Sequence, residues 1–438
     1  MAFRPLQRQI PEWDRKQPKG CGPCSFRFMG YWHGFLAVET SHEPTHTSFP
    51  GGELNAATSN EAPPPGREQE PGAVQRFNAR SSFGEFLPQT TDNLPQYQVS
   101  VIILNYQGAP WIERCLDSLR RQTLFAAAEI IVADNASTDG SDKLAEKLTQ
   151  SWPNARVMQH GKNLGYCEGN NRAAQAARGQ YLFFLNNDAW LEPDCLATLL
   201  AEVRSQRANA ATPLVLNYDD NTVQPIWGAG FDVFGLPSFA TRYDQSRDLF
   251  MPPGCCFLVE REWFERIGGF DKALFMYADE LDLSWRLWIA GGRAIAVARA
   301  RLHHHLAANV NPEGGRMSEV RTSATKRFYT NRNVLLVLLK NCRNVLLLLV
   351  PLQLALWIAE AFASLLLIRR GSFVRRAYVD ALAECWRLRP HVLSERRRIG
   401  QFRRRGDFWM LRFLRWRLNR WEELRRVLRH GPPKVAGD

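Results

Sequence analysis

Tyr181-Leu182-Phe183-Phe184-Leu185 is apolar at successive positions, so a strand built from it has no face to offer water. Only a strand covered on both sides tolerates this, which points to a parallel sheet held between helices. The run then enters Asn186-Asn187-Asp188. Two amides and a carboxylate just past the carboxyl end of such a strand stand where open α/β sheets bind their ligands. The flanking sequence agrees: Val99–Leu104 and Glu129–Ala133 read as strands, and Trp111–Gln122, Ser141–Ser151, Asn170–Arg178 and Asp194–Arg204 as helices. That alternation predicts right-handed βαβ units. An irregular stretch to Pro253, a strand at Cys256–Val259 and a helix near Leu281–Ile289 complete the pattern.

Around this α/β domain, placed at residues 96–330, the chain divides into three further regions. Residues 1–95 are rich in Pro, Gly, Ser and Thr and are expected to be a disordered extension. Cys21-Gly22-Pro23-Cys24 within it resembles a redox motif but lacks the βαβ context such a motif requires. Residues 331–368 are the most apolar, and Val345–Ile368 carries one formal charge, Glu360. At about 1.5 Å per residue that stretch is long enough to cross a bilayer. Pro351, Gln353 and Glu360 within it, and Lys340 and Arg343 before it, favour helices lying in the interface or packed on the domain over one span. Residues 369–438 hold 20 Lys/Arg against 7 Asp/Glu, a local +13, so the basicity of the chain (+12 in all) belongs to its tail. There Leu411, Leu414, Leu418, Trp421, Leu424 and Leu428 recur at helical spacing among arginines, which predicts a basic amphipathic helix suited to an anionic membrane surface. The nine scattered cysteines fit a reducing compartment, and Met1 to Lys19 contains no apolar stretch of a signal peptide.

Four segments carry chemistry. Asp134, in Asp134-Asn135-Ala136-Ser137-Thr138-Asp139-Gly140-Ser141, directly follows the second strand and is assigned to ligand contact, whereas Asp139 and Ser141 suit a helix cap. Lys162-Asn163-Leu164-Gly165 and Gly169-Asn170-Asn171 bracket a loop whose glycines permit close approach to phosphate, without the GxGxxG spacing. Asp188 suits a hard cation such as Mg²⁺ or Mn²⁺, which needs only one or two carboxylates when substrate phosphates complete its shell. In Phe275-Met276-Tyr277-Ala278-Asp279-Glu280-Leu281-Asp282-Leu283-Ser284-Trp285-Arg286, a helix starting near Asp279 puts Asp279, Asp282 and Arg286 on one face and turns Glu280 toward the loop side. His303-His304-His305 offers a further metal ligand.

Taken in order, VSVIILNY, DNASTDGS, KNLGYCEGNN, LFFLNND, GGFDKALFMYADELDLSWR and the later histidines resemble the family 2 glycosyltransferases, nearest their rhamnosyltransferase-like branch, over about residues 97–310; TNRNVLLVLLKN and the arginine-rich tail resemble it too. The resemblance implies a GT-A fold, a Rossmann-like nucleotide-diphospho-sugar transferase domain with a C-terminal helical, membrane-associated region. It implies that Asp134, Leu104 and Asn105 line the nucleotide pocket, with Asn163, Gly165, Asn170, Asn187 and Asp188 also on the nucleotide sugar. Asp188 matches the metal-binding aspartate of the family's DxD-type motif, although Asn186 stands at its first acid, and His304 matches the later histidine. The family's acidic pair falls on Asp279-Glu280, with Glu280 as the expected catalytic base and Asp279 as its alternate. Gly254, Asp282 and Arg286 are expected on the acceptor side. The implied activity is inverting transfer of a sugar, rhamnose among the candidates, to a hydroxyl of a glycan or polyprenyl-linked acceptor in surface polysaccharide synthesis, with Mn²⁺ or Mg²⁺. The expected location is the cytoplasmic face of the inner membrane, peripheral rather than spanning.

Two other classes remain open at this level. A glycoside hydrolase also uses two carboxylates but has no need of the loops at 134–141 and 162–171. A non-catalytic protein binding nucleic acid or membrane would explain the tail but not the acid cluster, and nucleic acid is not expected as a partner.

Overall fold

The computed structural model describes residues 96–305, 321–430 and 434–435; the extension 1–95, with Cys21 and Cys24, lies outside them. β1 (Tyr97–Asn105), β2 (Ala128–Asp134), β3 (Ala155–Gln159) and β4 (Gly179–Asn186) run parallel in the order β3-β2-β1-β4. They are connected through α1 (Ile112–Arg120), α2 (Ser141–Thr149) and α3 (Gly165–Ala176). The doubly apolar strands serve two cores at once. Val99, Val101 and Ile103 of β1 pack with Ile112, Cys115 and Leu119 of α1, while Ile102 between them joins Cys167 and Ala173 of α3 on the other face.

The chain continues as β5 (Ala189–Leu191), α4 (Cys195–Ser205), β6 (Ala210–Asn217), β7 (Gly228–Phe231), β8 (Pro237–Phe239), β9 (Arg247–Asp248), β10 (Cys256–Glu260), α5 (Arg261–Arg266), α6 (Asp279–Ile289) and β11 (Ala294–His304). β10 inserts antiparallel between β4 and β6, β11 follows parallel to β6, and β5 returns antiparallel on β11. The result is a mixed sheet in the order β3-β2-β1-β4-β10-β6-β11-β5, an α/β fold of the expected class. The stretch before Pro253, read as irregular, in fact contains β6 to β9. β7, β8 and β9 are only four, three and two residues long and lack the long apolar runs that announce β1, β2 and β4.

After β12 (Arg321–Thr322) come α7 (Ala324–Asn341), α8 (Leu349–Leu367), α9 (Gly371–Val374), a π-helical turn at Arg375–Asp380, α10 (Ala381–Arg387), α11 (Arg389–Phe402), α12 (Asp407–Met410) and α13 (Asn419–His430). α7 is a core helix, with Val334 to Leu338 buried beside α6 residues Leu281, Leu283 and Leu287. α8 buries only one stripe. Leu349, Gln353 and Trp357 face the domain; the Gln353 amide donates to Phe234 O (2.7 Å) and accepts from Trp357 Nε1 (2.8 Å). Further along the helix, Glu360 pairs with Arg420 (2.6 Å) and Arg327 (3.8 Å). Its other side exposes Leu352, Ile358, Phe362, Leu365 and Leu366.

The tail departs from the single amphipathic helix expected of it. It breaks between α12 and α13 because Met410 and Phe413 are drawn into the core, and the backbone at Leu414 and Arg415 bridges to Phe231 of β7. Tertiary burial has overridden the helical spacing.

Candidate active site

The carboxyl ends of β1, β2 and β4 converge on one amide. Asn105 Nδ2 donates to Asp134 Oδ1 (2.8 Å) and Ser141 Oγ (2.8 Å), and Asn105 Oδ1 accepts from Asn187 Nδ2 (2.9 Å). Asp134 is buried, and its carboxylate also accepts from the backbone (2.8 Å) and hydroxyl (2.6 Å) of Ser137. The register explains the meeting, since Asn105 pairs with Asp134 and Leu104 with Asn186 across the parallel strands. Gly108 is required beside them: a Cβ there would fall 2.2 Å from Asn105 Oδ1 and 2.3 Å from Asn187 Nδ2. Ser137 and Gly108 were not singled out in the sequence, although a small hydroxyl three residues past a strand-end aspartate is a readable turn signal. Asp139 precedes Gly140, the N-cap of α2, and its carboxylate ties the loop by accepting from Ser141 N (3.1 Å) and Ala109 N (2.8 Å).

Asp188 follows β4 by two residues, and β11 delivers His304 beside it. His304 pairs with Ala189 in the antiparallel register, and His305 N donates to Asp188 O (2.9 Å). His304 Nε2 then lies 3.4 Å from Asp188 Oδ1, while His304 Nδ1 faces Gln224 Oε1 at 3.2 Å. Gln224, absent from the sequence expectations, thereby sets the ring: an acceptor at Nδ1 keeps the proton there and turns the other nitrogen to the carboxylate. The neighbouring histidines are taken up by aromatic packing, His303 stacked on Trp190 (3.7 Å) and His305 against Trp111 (4.2 Å). Asp188 Oδ1 is buried and receives no hydrogen bond within the described residues. A carboxylate oxygen and an imidazole nitrogen turned to each other fit a divalent cation. The described residues contain no group of three such ligands, so oxygens of a bound diphosphate would complete the shell.

Asp279 and Glu280 open α6. Glu280 is partly exposed, and its carboxylate lies against Gly254, about 3.7 Å from where a Cβ would stand. Gly254 O accepts from Tyr166 Oη (2.9 Å), and Cys255 O accepts from Asn186 N (2.9 Å). The acidic pair and the Asn186-Asn187-Asp188 segment therefore flank the same two-residue turn, Gly254-Cys255. Burial raises the Glu280 carboxyl to about 7. Asp279 is pushed well above the carboxylate range, by burial first and by the Glu280 charge second.

Two expectations need correction. Asp282 and Arg286 do not reach the acceptor side: both are fully buried, Arg286 Nη2 pairing with Asp282 (2.7 Å) and Nη1 donating to Ile267 O (2.6 Å) and Gly269 O (2.7 Å). Asp282 Oδ1 also meets Lys340 Nζ (3.0 Å), whose other partner is Asp271. Burial would raise the Asp282 carboxyl, but Arg286 and Lys340 outweigh it and hold it low. A charge cannot stay in the core unpaired, and Lys340 of α7 selected this face. Nor do Gly169 and Asn170 line a loop, since α3 has already begun at Gly165. Gly169 lets that helix approach β1 and β2, where a Cβ would meet Leu104 at 2.6 Å and Asn135 at 3.0 Å; Asn170 returns its amide to Tyr166 O (3.0 Å). Asn163 is exposed and ties the turn before α3, accepting from Gly165 N (2.9 Å).

Comparison with known proteins gives a consistent picture. Residues 100–268 match the model of the glycosyl transferase family 2. The chain is 32% identical over 250 residues to the N-acetylglucosaminyl-diphospho-decaprenol L-rhamnosyltransferase of Mycobacterium tuberculosis (strain ATCC 25618 / H37Rv), covering 50% of this chain and 77% of that protein. It is 28% identical over 228 residues to the O-antigen biosynthesis protein RfbC of Myxococcus xanthus, covering 48% of this chain and 17% of the other. Among solved structures, S. aureus TarS 1-349 in complex with UDP-GlcNAc aligns at 15% identity with a TM-score of 0.47, covering 70% of this chain and 89% of that one.

Proposed function

Since the chain belongs to the family 2 glycosyltransferases, we propose that it moves a sugar, rhamnose being the first candidate, from a nucleotide-diphospho-sugar to a hydroxyl of a polyprenyl-linked glycan acceptor, with inversion. The observation that carries this reading is a buried Asp188–His304 couple and a carboxyl, Glu280, raised to about 7, on segments that meet the same turn: Glu280 lies against Gly254, and Asn186, two residues before Asp188, donates its N–H to Cys255 O. Asp188 and His304 would hold a divalent cation, which when bound neutralises the charge gathering on the departing diphosphate. Glu280 takes the acceptor hydroxyl proton as the acceptor oxygen bonds to the anomeric carbon and the bond from that carbon to the diphosphate breaks. Asn105, Asp134, Ser137 and Asn187 form the preorganised floor on which the nucleotide rests, in keeping with ligand binding beyond the carboxyl ends of the strands.

The test is a screen of dTDP-rhamnose and UDP-hexoses against a polyprenyl-diphosphate-linked N-acetylglucosamine acceptor with Mn²⁺ or Mg²⁺. One donor is expected to give an extended lipid-linked product. Hydrolysis of the donor at the same rate with and without acceptor would favour the hydrolase reading instead.

A lipid-linked acceptor also gives a reason for α8. Its inner stripe ends in polar groups already bound to the domain, Gln353 to Phe234 O and Glu360 to Arg420 and Arg327, whereas its outer face is apolar. Such a helix suits lying in the plane of a membrane surface, with the basic tail toward anionic headgroups. Replacing Ile358, Phe362 and Leu366 together by serine is expected to abolish sedimentation with vesicles containing anionic lipid, and alkaline carbonate should strip the wild type from them. Wild-type protein that stays in the pellet after carbonate would mean that α8 spans.

A further inference from the structure

Three of the four residues before the acidic pair are held in a conformation that their side chains avoid. Phe275 lies at φ 64°, ψ −62°, and Tyr277 and Ala278 follow at φ 68° and 57°. None is glycine. Met276 N donates to Leu274 O at 2.8 Å, which makes residues 274–276 the rare left-handed form of the γ-turn. Strained backbone of this kind persists only where its surroundings over-determine it, and it gathers at functional sites.

Here the surroundings are one side chain of α7. Asn333 Nδ2 donates to Leu274 O (2.9 Å), Met276 O (2.7 Å) and Tyr277 O (2.8 Å), three carbonyls of the strained turn sharing one amide. Asn333 is wholly buried, and its Oδ1 accepts from Arg332 Nε (2.8 Å), whose guanidinium also donates to Ala273 O and Leu274 O at 2.9 Å each. Tyr329, one turn earlier on α7, stacks on the Phe275 ring (5.5 Å). On the far side that ring covers Gly165, where a Cβ would fall 2.5 Å from it, and Cys167 N donates to Phe275 O (3.1 Å). The turn is thus gripped between α7 and the start of α3, and α6 begins where the grip ends.

We propose that Asn333 is a positioning residue for sugar transfer: by holding the carbonyls of Leu274, Met276 and Tyr277 it fixes where α6 starts, and so keeps the Glu280 carboxylate against Gly254. The inference rests on Glu280 as the base. A filler of the core would not need three backbone acceptors in a strained turn, and an amide that only satisfied itself could do so within its own helix. Asn333 is wholly buried and its amide is spent on the turn, so its loss should alter the chemical step and leave donor binding alone.

The experiment uses the full chain. Asn333→Ala is expected to lower kcat about 10- to 100-fold, by misplacement of the base, with the affinity for nucleoside diphosphate and Mn²⁺ by calorimetry within twofold of wild type. Adding Ala278→Gly to that variant should restore kcat about fivefold, because glycine takes positive φ without penalty and the turn then needs less holding. Asn333→Ser keeps one donor for the carbonyls and an acceptor for Arg332; it covers the case in which the alanine variant does not fold, and is expected to lose about tenfold in kcat. Wild-type kcat per folded molecule in either variant, or a loss of donor affinity that accounts for the whole defect, overturns the proposal. Failure of the reading beneath it would show separately, as a Glu280→Gln enzyme that still turns over.

Discussion

Glu280→Gln is expected to lower turnover by about 10²- to 10⁴-fold, the contribution of a positioned general base, while the affinity for nucleoside diphosphate stays near that of the wild type. The pH dependence supplies an independent signature. A base must be ionised to act, and burial has raised Glu280 to about 7, so wild-type kcat should climb as pH rises through that value and level off above it. The charged and titratable groups facing it are Asp279 on its own helix and Tyr166 on α3, whose phenol burial and these acids push upward. Both are raised, Asp279 well above the carboxylate range, so the inflection reports the first ionisation of the acidic pair. In the glutamine variant the residual rate should show no inflection near 7. Stability should move the other way. With its folded-state pKa raised above the unfolded one, Glu280 favours the fold while protonated, and that advantage is lost as pH rises from about 4.5 to about 7. The variant, which cannot ionise, should melt above the wild type at pH 8. Near-normal turnover by Glu280→Gln, together with an inactive Asp279→Asn, would transfer the role to Asp279.

What could be read of this site in the sequence was what strands and their ends announce. Tyr181–Leu185 predicts β4, and Asn186-Asn187-Asp188 lies at its end; Asp134 stands at the end of β2, where it meets Asn105. These signals are local, since a strand apolar on both faces has one environment available to it. The misread parts turn on distant partners. Helical spacing puts Asp282 and Arg286 on one face but does not say which way that face looks; Lys340, on another helix, draws it into the core. Gly165, Gly169 and Asn170 are poor helix formers and read as loop, yet α3 needs a glycine at 169 to lie on Leu104 and Asn135. β11 is written in alanine and arginine and shifts register between Val297 and Arg301, so nothing in its sequence marks it as the strand that brings His304 to Asp188. Gln224, which orients that histidine, belongs to a stretch with no periodic signal at all.

The Asp188–His304 couple leads to the second large effect. Asp188→Ala is expected to abolish the metal dependence of donor binding: in the presence of Mn²⁺ the nucleoside diphosphate should bind at least about 100-fold more weakly than to wild type, and as weakly as it does after chelation. Removing a residue that merely orients a ligand costs about 10- to 100-fold in metal affinity, and removing a ligand outright should cost no less. The site has little reserve, because Asn186 occupies the position where a second carboxylate would stand and His303 and His305 are committed to Trp190 and Trp111. The fold should be indifferent. Among the described residues the Asp188 side chain receives no hydrogen bond at Oδ1 and approaches His304 at 3.4 Å, so its truncation leaves the backbone pairing of His304 with Ala189 intact. The melting temperature without metal should therefore stay within a few degrees of wild type, in line with about 1 kcal/mol or less at a site of this kind. Stabilisation by Mn²⁺ plus nucleoside diphosphate should be lost, because a ligand that no longer binds the native state cannot shift its unfolding. A variant that kept its Mn²⁺-dependent affinity would remove Asp188 from the metal site and leave the buried carboxylate oxygen without an explanation.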